Sequence, residues 1–199
     1  MLLATRADAS GRQRERRRDA YTARVTQPAA PGPPLLVKMQ LDALDELARV
    51  ADAMPEEARD GVVTGLNAAG WTLAHVADQQ DQYWNVAGQG LEPDPWLAEQ
   101  RVTYGSPATR PPFAEARAAL ARVDERCREY LEAVRRPDFD QVLRRSRTRP
   151  ADQTLGDLLA RSVAHIFAHA GELATIASMS GAPDLGLPGA LPRSNPGRE

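Results

Sequence analysis

Four stretches of this chain repeat apolar residues at three- and four-residue intervals, the spacing of one helix face. Between them lie turns, polar connections and proline-rich connections. The first stretch predicts a helix over 38–54. Leu41, Leu44, Leu47, Ala48 and Ala51 form its stripe, Asp42, Asp45, Glu46 and Arg49 lie outside it, and Pro55 ends it. The second predicts a helix from Asn67 to Gly88 or Gly90. The third runs from Pro112 to Arg136, with Phe113, Ala116, Leu120, Val123, Cys127, Tyr130, Leu131 and Val134 as the cleanest stripe. The fourth runs from Thr154 to Gly181. Thr154 is placed as N-cap, Asp157 completes a capping-box pattern, and Gly181 followed by Pro183 stops the helix. No stretch reads as a strand.

The expected fold class is therefore all-α, a four-helix bundle. Residues 91–111 make a long connection between the second and third helices. A bundle helix is about 30 Å long, and 21 extended residues reach back along it easily. That connection predicts a crossover, with the second and third helices parallel. The domain reading is a disordered basic and proline-rich tail over 1–37, the bundle over 38–181, and a flexible tail over 182–199.

Composition narrows the class. Hydrophobic content of 42% and charged content of 26% are those of a globular protein, and an aromatic share of 5% favours helices over sheets. No apolar run approaches 18 residues, so no membrane span is expected. Residues 1–34 carry seven arginines and three acidic residues, while the remainder has a net charge of −6. An acidic folded part argues against wrapping nucleic acid. One cysteine, Cys127, excludes an internal disulfide and leads us to expect a cytoplasmic protein.

The chain has three histidines. His165 and His169 are four apart on the fourth helix, so they share a face, which the surrounding small and apolar positions turn toward the core. His75 is on the second helix. If those helices are neighbours, three imidazoles can converge in the way a catalytic zinc site uses them, with positions left open. Nickel, iron and cobalt also accept imidazole. An isolated His pair is more commonly structural; the core-facing placement and the lack of stray histidines favour a metal. Asp78, Gln79 and Glu172 lie within a turn of a histidine and are candidates to orient the rings. Trp71 shares a face with His75, with Asp78, Gln79 and Gln82 on the next turns. That set suggests a lined pocket and makes Trp71, Gln79 and Gln82 the cofactor-binding candidates. Glu172 is the candidate general acid or base.

Other chemistries are poorly supported. The sequence His165-Ile166-Phe167-Ala168-His169 lacks the glutamate of the H-E-x-x-H metalloprotease motif. Glycine-rich phosphate loops are absent. Cys127 reads as a small buried hydrophobe. Trp96 and Tyr104 on the crossover are candidates for a lid. Arg144, Arg145, Arg147 and Arg149 read as a solvated loop.

Two segments resemble a known family. GWTLAHVADQQDQYW is similar to the second-helix signature of the DinB-like superfamily, in which a tryptophan precedes a metal-binding histidine by four. AHIFAHAGEL resembles that superfamily's fourth-helix His-x-x-x-His signature. The resemblance covers roughly residues 38–190. It implies a bundle that binds Zn²⁺ or Ni²⁺ through His75, His165 and His169. Its relatives include thiol-dependent transferases of the bacillithiol type and the mycothiol-dependent maleylpyruvate isomerase. It therefore implies a low-molecular-weight thiol such as mycothiol and an electrophilic substrate; a homodimer is a separate expectation, tied to a stress-response module. Ala170 stands where many members carry arginine, so an anion contact from that position is missing. A non-catalytic, metal-stabilised stress-response module is the alternative expectation.

Overall fold

The computed structural model describes residues 32–61, 63, 65–106, 109–143, 153–183 and 185–186. The expected tails over 1–37 and 182–199 lie largely outside these residues, and the Arg144–Arg149 cluster lies wholly outside them. Helix α1 spans Leu35–Asp52, three residues ahead of the expected start. Pro34 precedes it, and proline suits a helix entrance because no backbone N–H is needed there. A short α2, Glu56–Arg59, follows Pro55. Helix α3, Ala69–Gln80, passes directly into a π-helical stretch, Asp81–Gly88. The periodicity predicted one continuous α-helix here. The wider π-turns carry Asp81, Gln82, Tyr83, Trp84 and Asn85 inside together.

The connection after it is not structureless, because Pro95–Glu99 forms α4. Asp94 caps that helix by accepting from the N–H groups of Trp96 and Leu97. Helix α5 is Phe113–Ala133, and a 3₁₀ turn covers Arg136–Asp140. Helix α6 is Leu155–Met179. Thr154 caps it as expected, its hydroxyl accepting from the Asp157 N–H at 3.1 Å. The Asp157 carboxylate accepts from that hydroxyl, not from the Thr154 backbone as a capping box requires. Gly181 ends the helix at φ 87°, where a residue with a side chain would be strained. Among the described residues the extended pairing is one bridge between Val142 and Thr154. The fold is an all-α helical bundle. None of these helices is long and apolar enough to cross a membrane.

The crossover makes α3 and α5 parallel, as expected. Gly70, at the start of α3, lies against Pro111 and Phe113 at the start of α5, and Gly88 lies against the ring of Tyr130 near the end of α5. Helix α1 runs antiparallel to α5, because Arg117 pairs with Asp52 and Arg128 with Asp45. Helix α6 runs antiparallel to α3: Ser162 meets Gln80, and Glu172 meets Asn67.

Two apolar clusters fill the interior. One joins Leu44, Leu47, Leu73, Phe113, Leu120, Ile166 and Leu173, and the other joins Trp84, Cys127, Leu131, Leu155, Leu158 and Leu159. Gln80 links three helices near the boundary between them. It accepts from Gln40 on α1 at 2.7 Å and from Trp84 at 2.6 Å, and it donates to Ser162 on α6 at 3.0 Å. A buried amide satisfied this way fixes the relative register of helices, since any slip strands its polar atoms.

Candidate metal centre

Helices α3 and α6 bring the three histidines together. Nε2 of His75 is 3.1 Å from Nε2 of His165, which is 3.2 Å from Nε2 of His169. All three nitrogens lie within 4.8 Å of one another. A cation bonded about 2.0–2.1 Å from each nitrogen, at tetrahedral or octahedral angles, places neighbouring ligand nitrogens roughly 2.9–3.4 Å apart. The two short separations fall inside that range.

The proton positions agree. Nδ1 of His75 is 2.6 Å from the carbonyl of Val102. A carbonyl only accepts, so Nδ1 carries the hydrogen and Nε2 presents a lone pair. Nδ1 of His169 is 2.8 Å from the carboxylate of Glu172. With that carboxylate ionised, Nε2 of His169 is again the lone-pair nitrogen. Two lone pairs thus face the nitrogen of His165 from either side. A single ring proton on His165 satisfies at most one of them, whereas a cation satisfies all three. Nδ1 of His165 is buried and makes no hydrogen bond.

Burial and neighbouring groups favour the neutral form of His165 and His75. Burial, followed by the neighbouring His169, His75 and Arg161, pushes His165 down to about 3. His75 is also lowered, chiefly by burial. Glu172 is held below its usual range, first by the hydrogen bond from His169. Neutral imidazole is the form that binds metal.

The sequence-predicted residues divide. Trp71 stacks on His75, with ring centroids 4.7 Å apart and planes 13° from parallel. It braces a candidate ligand and stands outside the residues that line the cavity. Glu172 accepts from His169 and from the Asn67 side chain at 3.2 Å, which makes it an orienting partner of one ring. Gln79 lines the pocket beside the histidines, as does Asp78, whereas Gln82 is buried and does not line it. Cys127 is fully buried in the other apolar cluster, and burial pushes its thiol up to about 12. The lid pair separates as well. Tyr104 stands at the pocket rim, 98% exposed, while Trp96 packs on the core and donates its indole N–H to Glu115 at 2.8 Å.

The histidine face needs a correction. It was expected to point into the core, but Ile166, Ala170 and Leu173 take that direction. His165 and His169 are half-buried at its edge, and His75 and His165 line a cavity of about 710 Å³. The apolar stripe of α6 is wide enough that the histidines fall on its margin. The far wall of this cavity comes from the crossover, residues Leu97 to Ser106. Val102, the hydrogen-bond partner of His75, was not legible in the sequence because the contact uses a backbone carbonyl.

No curated protein matches the chain. The sequence does match the DinB superfamily over residues 41–173, a span that contains α3, the crossover, α5 and all three histidines. The site geometry is compatible with the metal binding that this match suggests. The chain belongs to the DinB superfamily.

Proposed function

We propose that the chain binds one divalent cation, zinc or nickel, through His75, His165 and His169. On this reading it works as a metal-dependent transferase or isomerase that uses a low-molecular-weight thiol, such as mycothiol, against an electrophilic substrate. One observation carries the reading: three imidazole nitrogens converge on a point at the edge of a cavity of about 710 Å³. A cation held by these three histidines would favour the thiolate form of a thiol bound to it, and the thiolate is the nucleophilic form.

The chain's own residues then supply position and exclusion. Val102 and Glu172 hold two of the rings in the ligating tautomer. Trp71 covers one face of His75, and the crossover covers the pocket. The test is calorimetry of the zinc- or nickel-loaded protein against mycothiol, bacillithiol and glutathione. Binding of one thiol by the loaded protein and not by the metal-free protein is expected. If no thiol binds, the transferase reading fails.

A second reading is a non-catalytic module in which the ion stabilises the bundle. It is favoured by the engagement of Glu172 with His169 and Asn67. Under this reading His75→Ala lowers the melting temperature of the loaded protein, and no thiol binds.

A further inference from the structure

The pocket beside the histidines carries a charge pattern that the metal reading does not use. Arg101 comes from the crossover and Arg161 from α6, and both line the cavity. Arg161 sits four residues before His165 and therefore on its face of the helix. Neither arginine is paired with a carboxylate among the described residues, although Arg49, Arg117, Arg122, Arg126 and Arg128 all are.

Arg101 also holds φ 51°, the one described residue other than glycine in the left-handed region. Such a conformation carries strain and persists where the surroundings impose it, commonly at ligand sites. It immediately precedes Val102, whose carbonyl holds His75, so the guanidinium leaves the chain next to the metal centre's support.

The remainder of the lining defines the ligand. Leu97, Ala98, Tyr83 and Tyr104 offer apolar and aromatic surface. Asp78 also lines the pocket and has a partner of its own. Two arginines without a carboxylate partner among the described residues, set against apolar and aromatic walls, suit an anionic head group on an apolar body. We propose that this pocket binds a small carboxylic acid with an apolar body, its carboxylate held by Arg101 and Arg161. This rests on the pocket being the working face of the site described above, and it names the class of molecule that the face accepts.

The probe is phenylacetate, with phenylacetamide as its uncharged counterpart. Affinities are measured by calorimetry on the metal-free and the zinc-loaded chain, with metal content assayed separately. The acid binds at least about tenfold more tightly than the amide in both forms, as expected for charge-assisted hydrogen bonds. Arg161→Gln and Arg101→Gly each weaken the acid roughly three- to tenfold and leave the amide unchanged, given that both arginines are exposed. Glycine at 101 retains the left-handed backbone, so Val102 stays in place, and circular dichroism checks that the variants fold. Equal affinities, or no binding of either probe, overturn the proposal. So does an acid preference that survives in the double variant or that requires the metal, since either assigns the carboxylate to the cation instead. Loss of metal binding alone leaves the metal-free comparison intact, so the two readings fail separately.

Discussion

The carbonyl of Val102, on the crossover, holds Nδ1 of His75, on α3, at 2.6 Å. The orientation of one candidate ligand thus depends on a loop 27 residues away. That loop is anchored by Asp81, a fully buried carboxylate in the π-helical stretch. Asp81 accepts from the Asp94 N–H at 2.7 Å, from Asn85 at 2.8 Å and from Arg126 at 3.3 Å. Asp94 in turn caps α4 and pairs with Arg122. Asp81→Ala removes the anchor and leaves buried donors unpaired. We expect a loss of about 1–3 kcal/mol in urea denaturation, together with weaker zinc binding at unchanged helix content. Full zinc affinity in this variant would show that the crossover does not support His75.

Glu172 acts on the site through His169. Removing such a carboxylate partner commonly lowers metal affinity by about 10- to 100-fold. Glu172→Gln is expected to fall in that range in a competition assay with a chromophoric chelator. Asn67→Ala, which loosens Glu172 but leaves the carboxylate in place, has a smaller effect. If Glu172→Gln binds zinc as tightly as the parent, the hydrogen bond at 2.8 Å has no role in ligation.

The pH dependence has a definite sign. Folding lowers both His75 and His165, the latter to about 3, so below the ordinary histidine value the unfolded chain binds more protons. Stability from these groups is therefore present above pH 6.5 and is lost as pH falls toward about 3. Glu172, also lowered, contributes in the same direction at the acid end. The urea midpoint of the metal-free protein should fall between pH 7 and pH 5, and His165→Leu should flatten that slope. A midpoint that rises on acidification contradicts the neutral, buried assignment.

Gly70 tests the crossover geometry. A Cβ there would lie 2.1 Å from the backbone oxygen of Pro111, and backbone does not swing aside. Gly70→Ala is expected to cost about 1–3 kcal/mol despite alanine's better helix propensity. Equal or greater stability on thermal melting would mean that the start of α5 does not press on α3.

The helices were legible because each buries one face, and burial writes a period into the sequence. The ends of α6 were legible because Thr154 and Gly181 do local jobs that few residue types do. The crossover was legible from its length. The π-helical turns after Gln80 were not, since an i→i+5 ladder leaves no mark that distinguishes it from a polar patch on an α-helix. The histidine set followed from helical spacing together with the family resemblance. Its supports did not follow equally well. Glu172 lies one turn from His169 and could be seen, whereas Val102 acts through its backbone and Arg101 through a tertiary approach, and neither has a sequence period. Gln82 was read as pocket-facing by α-helical spacing, and the wider π-turns carry it inside.

The central claim is that three histidines hold one divalent ion, and elemental analysis of the purified protein after reconstitution tests it most directly. The expected result is close to one zinc or nickel per chain in the parent and a residual trace in His165→Ala, with both proteins folded. A parent that retains no stoichiometric metal, or a His165→Ala variant that retains as much as the parent, would contradict it.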